Sequence, residues 1–244
     1  MSTIIPTLPQ TAVAVPPATE PLRRADVVVE NKITIPGWIG TLQEYRRWAE
    51  SDDYPQSGWV AYLNGVIFVD ATKEELLAHN QVKYAFTGMF YSLLTQQPTG
   101  RFVVDRMLLV NEAANLSTEP DGLFFLWDTV KTGRLLLVPG KTTGYTQLDG
   151  TPDVVLEIVS DNSEKKDLVQ LRKLYWKAQV PEYWLVDARG DTIRFEILRH
   201  DKDGYQAMPS ADGRVRSEVL GHSFRVERTA DPLGLPQFVV QVKA

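Results

Sequence analysis

The stretch TPDVVLEIVS (Thr151–Ser160) has the pattern of a β-strand that is buried on both faces. A short run of β-branched and apolar residues follows a proline, which is typical of a strand in the interior of a sheet. Glu157 lies in the middle of that run. A carboxylate in such a place costs several kcal/mol unless it is paired, protonated or bound to a metal ion. The partner of Glu157 is therefore the main question that the sequence raises.

The residues after this run predict a strand–helix–strand unit. Residues from about 164 to 179 carry apolar side chains at helical spacing, and EYWLVD (Glu182–Asp187) has the pattern of a second buried strand. Upstream of the unit, further strands are predicted at RFVVDRMLLV, EPDGLFFLW and GRLLLV. This order of elements indicates a mixed α/β sheet.

Two capping boxes predict helices in the N-terminal half of the chain. Thr41 and Glu44 have the required three-residue spacing, and apolar residues at helical spacing follow them. Thr72 and Glu75 repeat the pattern at the start of a longer helix, which we expect to continue to Gln96.

Two turn signals complete the prediction of the fold. Asn64-Gly65 stands between two apolar runs and predicts a β-hairpin. Asp203-Gly204 predicts a turn among short antiparallel strands near the C-terminus. The predicted class is α/β (α+β), with a mixed central sheet flanked by helices, an N-terminal hairpin and a β-rich C-terminal tail.

Composition limits the class of protein. The 244 residues are 43% hydrophobic and 23% charged, which suits a globular domain with a sizeable core. No apolar run approaches the roughly 20 residues of a membrane span, so we expect no membrane partner and a cytoplasmic location. The chain has no cysteine, which excludes disulfides and thiolate chemistry. A net charge of −5 disfavours broad electrostatic binding of nucleic acid, which would need a local patch or bound cations.

The domain organisation is predicted from the same patterns. Prolines interrupt the apolar residues near the N-terminus, and the segment has no basic start, so we expect a disordered leader over residues 1–30 rather than a signal peptide. A single domain is expected over residues 36–228 and a tail over residues 229–244. The sequence leaves the oligomeric state open and allows a homodimer.

Strand geometry restricts which acids can meet Glu157. Asp153 shares its face of the strand, but four residues separate them by roughly 13 Å, so they cannot share one ion. Asp121 in TEPDGLFFL is the better candidate, because an acid at the end of a neighbouring strand can hold a hard cation together with Glu157. The alternatives are a turn role for Asp121 and a salt bridge for Glu157. For Asp153 we expect hydrogen bonds to nearby backbone.

The segment from Thr151 to Gly190, ending in VPEYWLVDARG, resembles the Uma2 family (DUF820) of restriction endonucleases, within the PD-(D/E)XK nuclease superfamily. The resemblance extends from about Thr41 to Phe224 and includes LNGVIFV, EPDGLFF and the helix around His79. It implies a restriction-endonuclease-like core in which Asp121 and Glu157 bind Mg²⁺ (or Mn²⁺). The implied activity is metal-dependent cleavage of DNA.

The chain departs from the family pattern at three positions. The Glu-x-Lys lysine would stand at Val159, a lysine common in the following helix would stand at Leu171, and a glutamate before the hairpin turn would stand at Ala61. We expect Lys166 to replace the missing lysine; the alternative is a solvated surface lysine.

Other residues near this pattern allow two interpretations. His79 either contacts phosphate or metal-bound water, or is a helix histidine at the edge of the core. Tyr183 and Trp184 are interpreted as core residues rather than as base-stacking residues. On a helical wheel, Lys173 points away from Asp167.

The resulting functional prediction is a magnesium-dependent endonuclease acting on DNA, with Asp121, Glu157 and Lys166 as catalytic residues. The alternative is a non-catalytic module of the same fold that binds nucleic acid or forms oligomers. A hydrolase of small phosphorylated compounds is a third class, but the sequence contains no phosphate-binding loop. Arginines and lysines clustered around the two acids would favour the nuclease.

Overall fold

The structure is a computed structural model that describes residues 25–29, 33–56, 58–70, 72, 75–141 and 144–244. Of the predicted leader over residues 1–30, only residues 25–29 belong to this part, and the rest lies outside the described residues. The chain divides into two compact units, residues 1–39 and residues 40–244. In the first unit, β1 (Val27–Val29) and β2 (Ile33–Ile35) pair antiparallel.

The second unit combines helices and strands. The helices in its described part are α1 (Leu42–Ala49), α2 (Gln81–Gln96), α3 (Trp127–Lys131) and α4 (Arg172–Lys177). A π-helical turn precedes α2 at Leu76–Asn80 and another precedes α4 at Lys166–Leu171. The strands are β3 (Trp59–Leu63), β4 (Val66–Asp70), β5 (Gly100–Val104), β6 (Leu108–Asn111), β7 (Leu116–Thr118), β8 (Gly122–Leu126), β9 (Leu135–Pro139), β10 (Tyr145–Gly150), β11 (Val154–Ile158), β12 (Glu182–Asp187), β13 (Arg194–Asp201), β14 (Gly204–Ala207), β15 (Ser210–Ala211), β16 (Arg214–Arg216), β17 (Ser223–Ala230) and β18 (Pro236–Lys243).

The strands in the described part of this unit form three sheets. The first has the order β4-β3-β7-β6-β10-β9, the second β14-β13-β12-β11-β8-β5, and the third β15-β16-β17-β18. In the second sheet, β11 and β12 are parallel, whereas the other neighbouring strands are antiparallel. The helical segment between β11 and β12 makes the crossover that a parallel pair requires. The predicted strand–helix–strand unit and the mixed sheet are therefore confirmed.

Two local predictions are confirmed in atomic detail. Asn64 and Gly65 both have positive φ angles, 50° and 92°, and connect β3 to β4 in a tight hairpin. The capping box at α1 is complete, because Thr41 Oγ1 accepts from the Glu44 N–H at 3.2 Å and Glu44 Oε2 accepts from the Thr41 N–H at 2.9 Å.

The second predicted capping box is wrong. Thr72 donates to Asp70 Oδ1 at 2.5 Å instead of capping a helix. Glu75 is itself the N-cap, and its carboxylate accepts from the backbone N–H groups of Leu77, Ala78 and His79. The helical segment therefore starts at Leu76, and a carboxylate rather than a hydroxyl satisfies its first donors.

The run RFVVDRMLLV is two strands rather than one. It divides into β5 and β6 at Asp105 and Arg106, which both have left-handed backbone conformations with φ angles of 42° and 52°. A strand cannot continue through such residues. The chain therefore leaves the second sheet after β5 and enters the first sheet at β6.

The core of the unit lies on the two faces of the second sheet. On one face, Phe86 and Phe90 of α2 pack with Trp184 of β12. On the other, Tyr175 of α4 packs against Tyr183. Tyr183 and Trp184 are fully buried, as predicted for core residues.

No helix in the described part of the chain has the length and hydropathy of a membrane span.

The C-terminal residues form a regular hairpin. Strand β18 pairs with β17 along its whole length, from Pro236 opposite Ala230 to Lys243 opposite Ser223. Its buried Phe238 belongs to the same apolar cluster as Phe86 of α2. The region predicted as a tail over residues 229–244 thus contains a strand that contributes to the core.

Candidate active site

A cavity of about 410 Å³ lies at the ends of β5, β8 and β11 in the second sheet. Asp121, Glu157 and Lys166 all line it, and so does His79. The residues that the sequence singled out are therefore brought together from two strands and two helical segments.

Strand register places Asp121 opposite Glu157. Leu156 of β11 is paired with Gly122 of β8, so the next position along the antiparallel pair sets Glu157 against Asp121. Side chains at such opposite positions point to the same face with Cβ atoms about 5 Å apart. The backbone N–H of Ile158 also donates to Asp121 Oδ2 at 2.8 Å, which fixes the carboxylate against β11.

Glu157 is almost completely buried, with 1% of its surface exposed. Tyr175 of α4 donates its hydroxyl hydrogen bond to Glu157 Oε1 at 2.5 Å. Burial raises the pKa of Glu157 well above its usual range; the Lys166 charge opposes this shift, and the charges of Asp167 and Asp121 add to it. The carboxyl group is therefore held in a place where an additional cation would stabilise its charged form.

Asp121 has the opposite ionisation behaviour. Its Oδ2 lies 3.3 Å from His79 Nε2, and its Oδ1 lies 3.3 Å from Lys83 Nζ. Burial would raise its pKa, but the His79 hydrogen bond and charge, the Lys83 charge and the Ile158 N–H outweigh burial and lower the pKa from 3.8 to about 2. Asp121 is thus an ionised carboxylate next to a carboxyl group that resists ionisation.

Lys166 reaches the cavity from the π-helical turn before α4. Its Nζ lies 3.1 Å from Asp167 Oδ1 and 4.1 Å from the centre of the Trp59 ring. Burial lowers its pKa, but the charges of Glu157, Asp167 and Asp121 outweigh burial and raise it. Lys173 is exposed, as the helical wheel predicted. Lys166 is therefore a protonated cation near both carboxylates.

The sequence patterns did not predict Lys83 as a residue of this site. It is the single charged residue of α2 and is buried there, with its Nζ 2.7 Å from Asp105 Oδ1 and within ion-pair distance of Asp121. One signal was present in the sequence, because Lys83 follows His79 by four residues and so lies on the same helix face.

Asp153 lies outside the group that lines the cavity, as predicted. Its Oδ2 accepts from the Leu126 N–H at 2.8 Å and from Thr129 Oγ1 at 2.6 Å, and Arg134 pairs with Oδ1. These contacts fasten β11 to the end of β8 and the start of α3. The interpretation of Asp153 as a structural residue is confirmed.

The three departures from the family pattern are core positions here. Ala61, Val159 and Leu171 are buried in one apolar cluster. None of them carries a charge toward the cavity. Any cation at the site must therefore come from elsewhere, and Lys166 and Lys83 are the lysines that the structure places near the two acids.

Acidic residues outnumber basic ones around the cavity. The lining lysines and arginines in the described part are Arg106 and Lys166. The lining acids are Asp70, Glu75, Asp105, Glu119, Asp121, Glu157 and Asp161. The clustering of basic residues that would favour a nuclease is therefore not found among these lining residues, and a phosphate would need a bound cation to approach.

The donor set at Asp121 and Glu157 fits a magnesium ion. Magnesium is usually held by one or two carboxylates together with waters and substrate phosphates. Each carboxylate oxygen can accept about two contacts, and Asp121 Oδ1 pairs with Lys83 Nζ at 3.3 Å. Within the described residues no cluster of three or more acidic or histidine side chains has the arrangement of a metal site. The two carboxylates would therefore hold a partly hydrated ion rather than enclose it.

Comparisons with known proteins place this fold. A crystal structure described as "a putative nuclease belonging to DUF820 from Anabaena variabilis ATCC 29413" matches with a TM-score of 0.54 and 17% sequence identity, over 74% of this chain and 90% of that chain. The chain thus shares the mixed α/β fold of that protein. The Uma2 model, described as "Putative restriction endonuclease", matches residues 42–229, and the chain belongs to the Uma2 family. No curated protein matches the sequence significantly.

Proposed function

We propose that the chain is a magnesium-dependent endonuclease that hydrolyses phosphodiester bonds in DNA. Asp121 and Glu157 hold the ion, and Lys166 supplies a fixed positive charge. The observation that carries the proposal is the meeting of these three side chains at one cavity, with Ile158 locking Asp121 beside Glu157. Manganese would serve in the same place, because it also prefers oxygen ligands.

The residues of the chain divide the chemical work between them. A bound magnesium ion supplies positive charge that stabilises the phosphate in the transition state and lowers the pKa of water. Asp121 is ionised and oriented before any ion binds, because His79, Lys83 and Ile158 hold it. Burial raises the pKa of Glu157, and a bound divalent ion would stabilise the charged form of this carboxyl group. Lys166 remains protonated, so we assign it to stabilising negative charge on the phosphate rather than to removing a proton.

The acidic lining supports a requirement for divalent ions. Among the lining residues that the structure describes, seven are acidic and repel a DNA phosphate, and the two basic ones do not offset them. A divalent ion held by Asp121 and Glu157 would offset part of this negative charge where the phosphate must bind. We therefore expect DNA to remain outside the cavity in chelator and to enter it when magnesium is present.

A cleavage assay tests the proposal. Supercoiled plasmid and single-stranded DNA are incubated with the purified chain in magnesium, in manganese and in chelator. We expect nicked or linear plasmid with either metal and intact plasmid in chelator, and Glu157→Gln should remove the activity. Cleavage that persists in chelator, or that Glu157→Gln retains, contradicts the proposal.

The non-catalytic alternative has a distinct outcome in the same experiment. Val159, Leu171 and Ala61 stand where the family pattern has two lysines and a glutamate. If the chain shifts DNA in a gel with calcium present but leaves it intact in magnesium and manganese, the fold serves binding rather than hydrolysis.

A further inference from the structure

Three carboxylates stand in a row across adjacent strands of the second sheet. Gly122 of β8 is paired with Leu156 on one side and with Val104 on the other. One position further along the β8–β11 ladder, Asp121 lies opposite Glu157. Asp105 follows β5 directly but leaves the ladder with its left-handed backbone, and Lys83 joins it to Asp121 by contacting both carboxylates. All three acids line the cavity.

Lys83 lies between two acids of this row, Asp105 and Asp121. Its Nζ lies 2.7 Å from Asp105 Oδ1 and 3.3 Å from Asp121 Oδ1. The side chain is 8% exposed, and α2 anchors it through the buried neighbouring residues Val82 and Phe86. A buried ammonium with two carboxylates in ion-pair contact is a fixed cation.

We propose that Lys83 is a built-in substitute for a second divalent ion, so that the site binds one metal ion at Asp121 and Glu157 while the ammonium neutralises Asp105 and Asp121. The row has two gaps between neighbouring acids. The ammonium fills the gap between Asp105 and Asp121, and the gap between Asp121 and Glu157 is the one assigned to magnesium. This inference rests on the proposed function for the second gap only.

The substitution has a physical consequence for Asp121. Two-metal sites use a shared carboxylate between ions about 4 Å apart, and Asp121 is the middle acid of the row. With Lys83 on one side, Asp121 is held ionised by a group that cannot dissociate into solvent. Lys83 is accordingly a positioning residue, and its effect should be measurable as a number of bound ions.

Counting bound manganese tests the inference. The full chain, Lys83→Met and the double variant Lys83→Met/Asp105→Asn are titrated with Mn²⁺ in the absence of DNA, and free Mn²⁺ is measured by electron paramagnetic resonance. Lys173→Met is the matched control, because Lys173 is exposed on α4. We expect one ion per chain for the wild type and for Lys173→Met, two for Lys83→Met, and one again for the double variant.

The outcomes separate the inference from the proposed function. Two ions in the wild type, or no gain in Lys83→Met, overturn the inference. No ion in the wild type but one in Lys83→Met supports the role of Lys83 and contradicts the magnesium site at Asp121 and Glu157. No ion in either chain overturns both.

A stability measurement keeps the test decisive if Lys83→Met folds poorly. An ion that binds only the folded chain raises its stability by mass action. Mn²⁺ should therefore raise the melting temperature of Lys83→Met by more than that of the wild type, and Asp105→Asn in the same background should remove the additional increase. Equal increases in all three chains would contradict the inference.

Discussion

The backbone N–H of Ile158 donates to Asp121 Oδ2 at 2.8 Å. Asp121 is therefore bound to the residue that directly follows Glu157. This contact aligns Asp121 with Glu157 independently of any ion. It also contributes to their opposite protonation behaviour, because the N–H stabilises the charged form of Asp121 only. The two carboxylates therefore respond differently to substitution.

Replacing Glu157 by Gln should abolish magnesium-dependent cleavage while the fold is retained. Gln keeps the oxygen that accepts from Tyr175 but cannot contribute charge to a metal site. Without metal, we expect the free energy of unfolding to be unchanged or increased, because the variant no longer buries an acid. The measurements are plasmid cleavage and urea denaturation in chelator.

Asp153→Asn is the control for this variant, because Asp153 lies on the same face of β11 but outside the cavity. It should keep cleavage and lose roughly 1–3 kcal/mol of stability as its buried hydrogen bonds weaken. If Glu157→Gln instead unfolds the protein, Glu157 is a structural residue and the proposed metal site loses its central ligand.

Replacing Asp121 by Asn should abolish cleavage and also lower stability. The folded pKa of about 2 lies below the ordinary 3.8, so the charged carboxylate contributes stability that is present above 3.8 and is lost as the pH falls toward 2. The difference corresponds to roughly 2 kcal/mol at neutral pH. Denaturation at neutral pH and near pH 2 measures it, and the gap between wild type and variant should close at the lower pH.

The same pH series should show the reverse dependence for Glu157→Gln. The folded pKa of Glu157 is raised above 4.5, so the free energy of unfolding of the wild type decreases as the pH rises above that value. The stability of the variant relative to the wild type should therefore rise with pH in chelator. If the stabilities of Asp121→Asn and Glu157→Gln relative to the wild type both decrease as the pH rises, the assignment of opposite protonation states is contradicted.

Replacing Lys166 by Ala should reduce the rate of cleavage while Mn²⁺ binding is retained, because the ammonium is assigned to the phosphate and not to the ion. We expect a decrease of about 10²-fold or more, comparable to the loss of one charge-stabilising donor at an active site. The matched variant Lys173→Ala removes an exposed lysine from the same helical segment and should have no effect. Equal activity in both variants would remove Lys166 from the proposed site.

Replacing Tyr175 by Phe should weaken the metal site without altering its ligands. The Tyr175 hydroxyl donates to Glu157 Oε1 at 2.5 Å, and its loss frees the carboxyl group to change rotamer. Loss of such an orienting partner typically costs 10–100-fold in metal affinity. We expect a decrease of that size in Mn²⁺ affinity and restoration of cleavage at high manganese. Loss of cleavage with unchanged Mn²⁺ affinity would show that Tyr175 acts in another way.

Much of the fold could be predicted because its signals are local. The Thr41 capping box, the Asn64-Gly65 turn and the buried strands around Glu157 and Trp184 are each encoded within a few residues. The proximity of Asp121 to Glu157 was also predictable, since strand spacing excluded Asp153 and left a neighbouring strand as the source.

The remaining features depend on contacts that sequence spacing does not reveal. Asp105 and Arg106 interrupt an apolar run with left-handed conformations, although neither residue is a glycine or a proline. Strand β10 (Tyr145–Gly150) was not predicted, because YTQLDG lacks an apolar run, and pairing with β6 and β9 stabilises it. Lys83 was hidden because a lysine in a helix is ordinarily solvated, and only the two acids beside it explain its burial.

The row of acids also has a consequence for the order of events during folding. Asp105, Asp121 and Glu157 come from strands with intervening segments, and no short stretch of the chain contains two neighbouring members of the row together with Lys166. Long-range strand pairing is a slow step in folding, because loops must close before contacts form. We therefore expect a nascent or partly folded chain to have no metal affinity at this site, so that DNA is protected until the last of these strands has paired. Addition of Mn²⁺ early in refolding should accordingly leave the refolding rate unchanged.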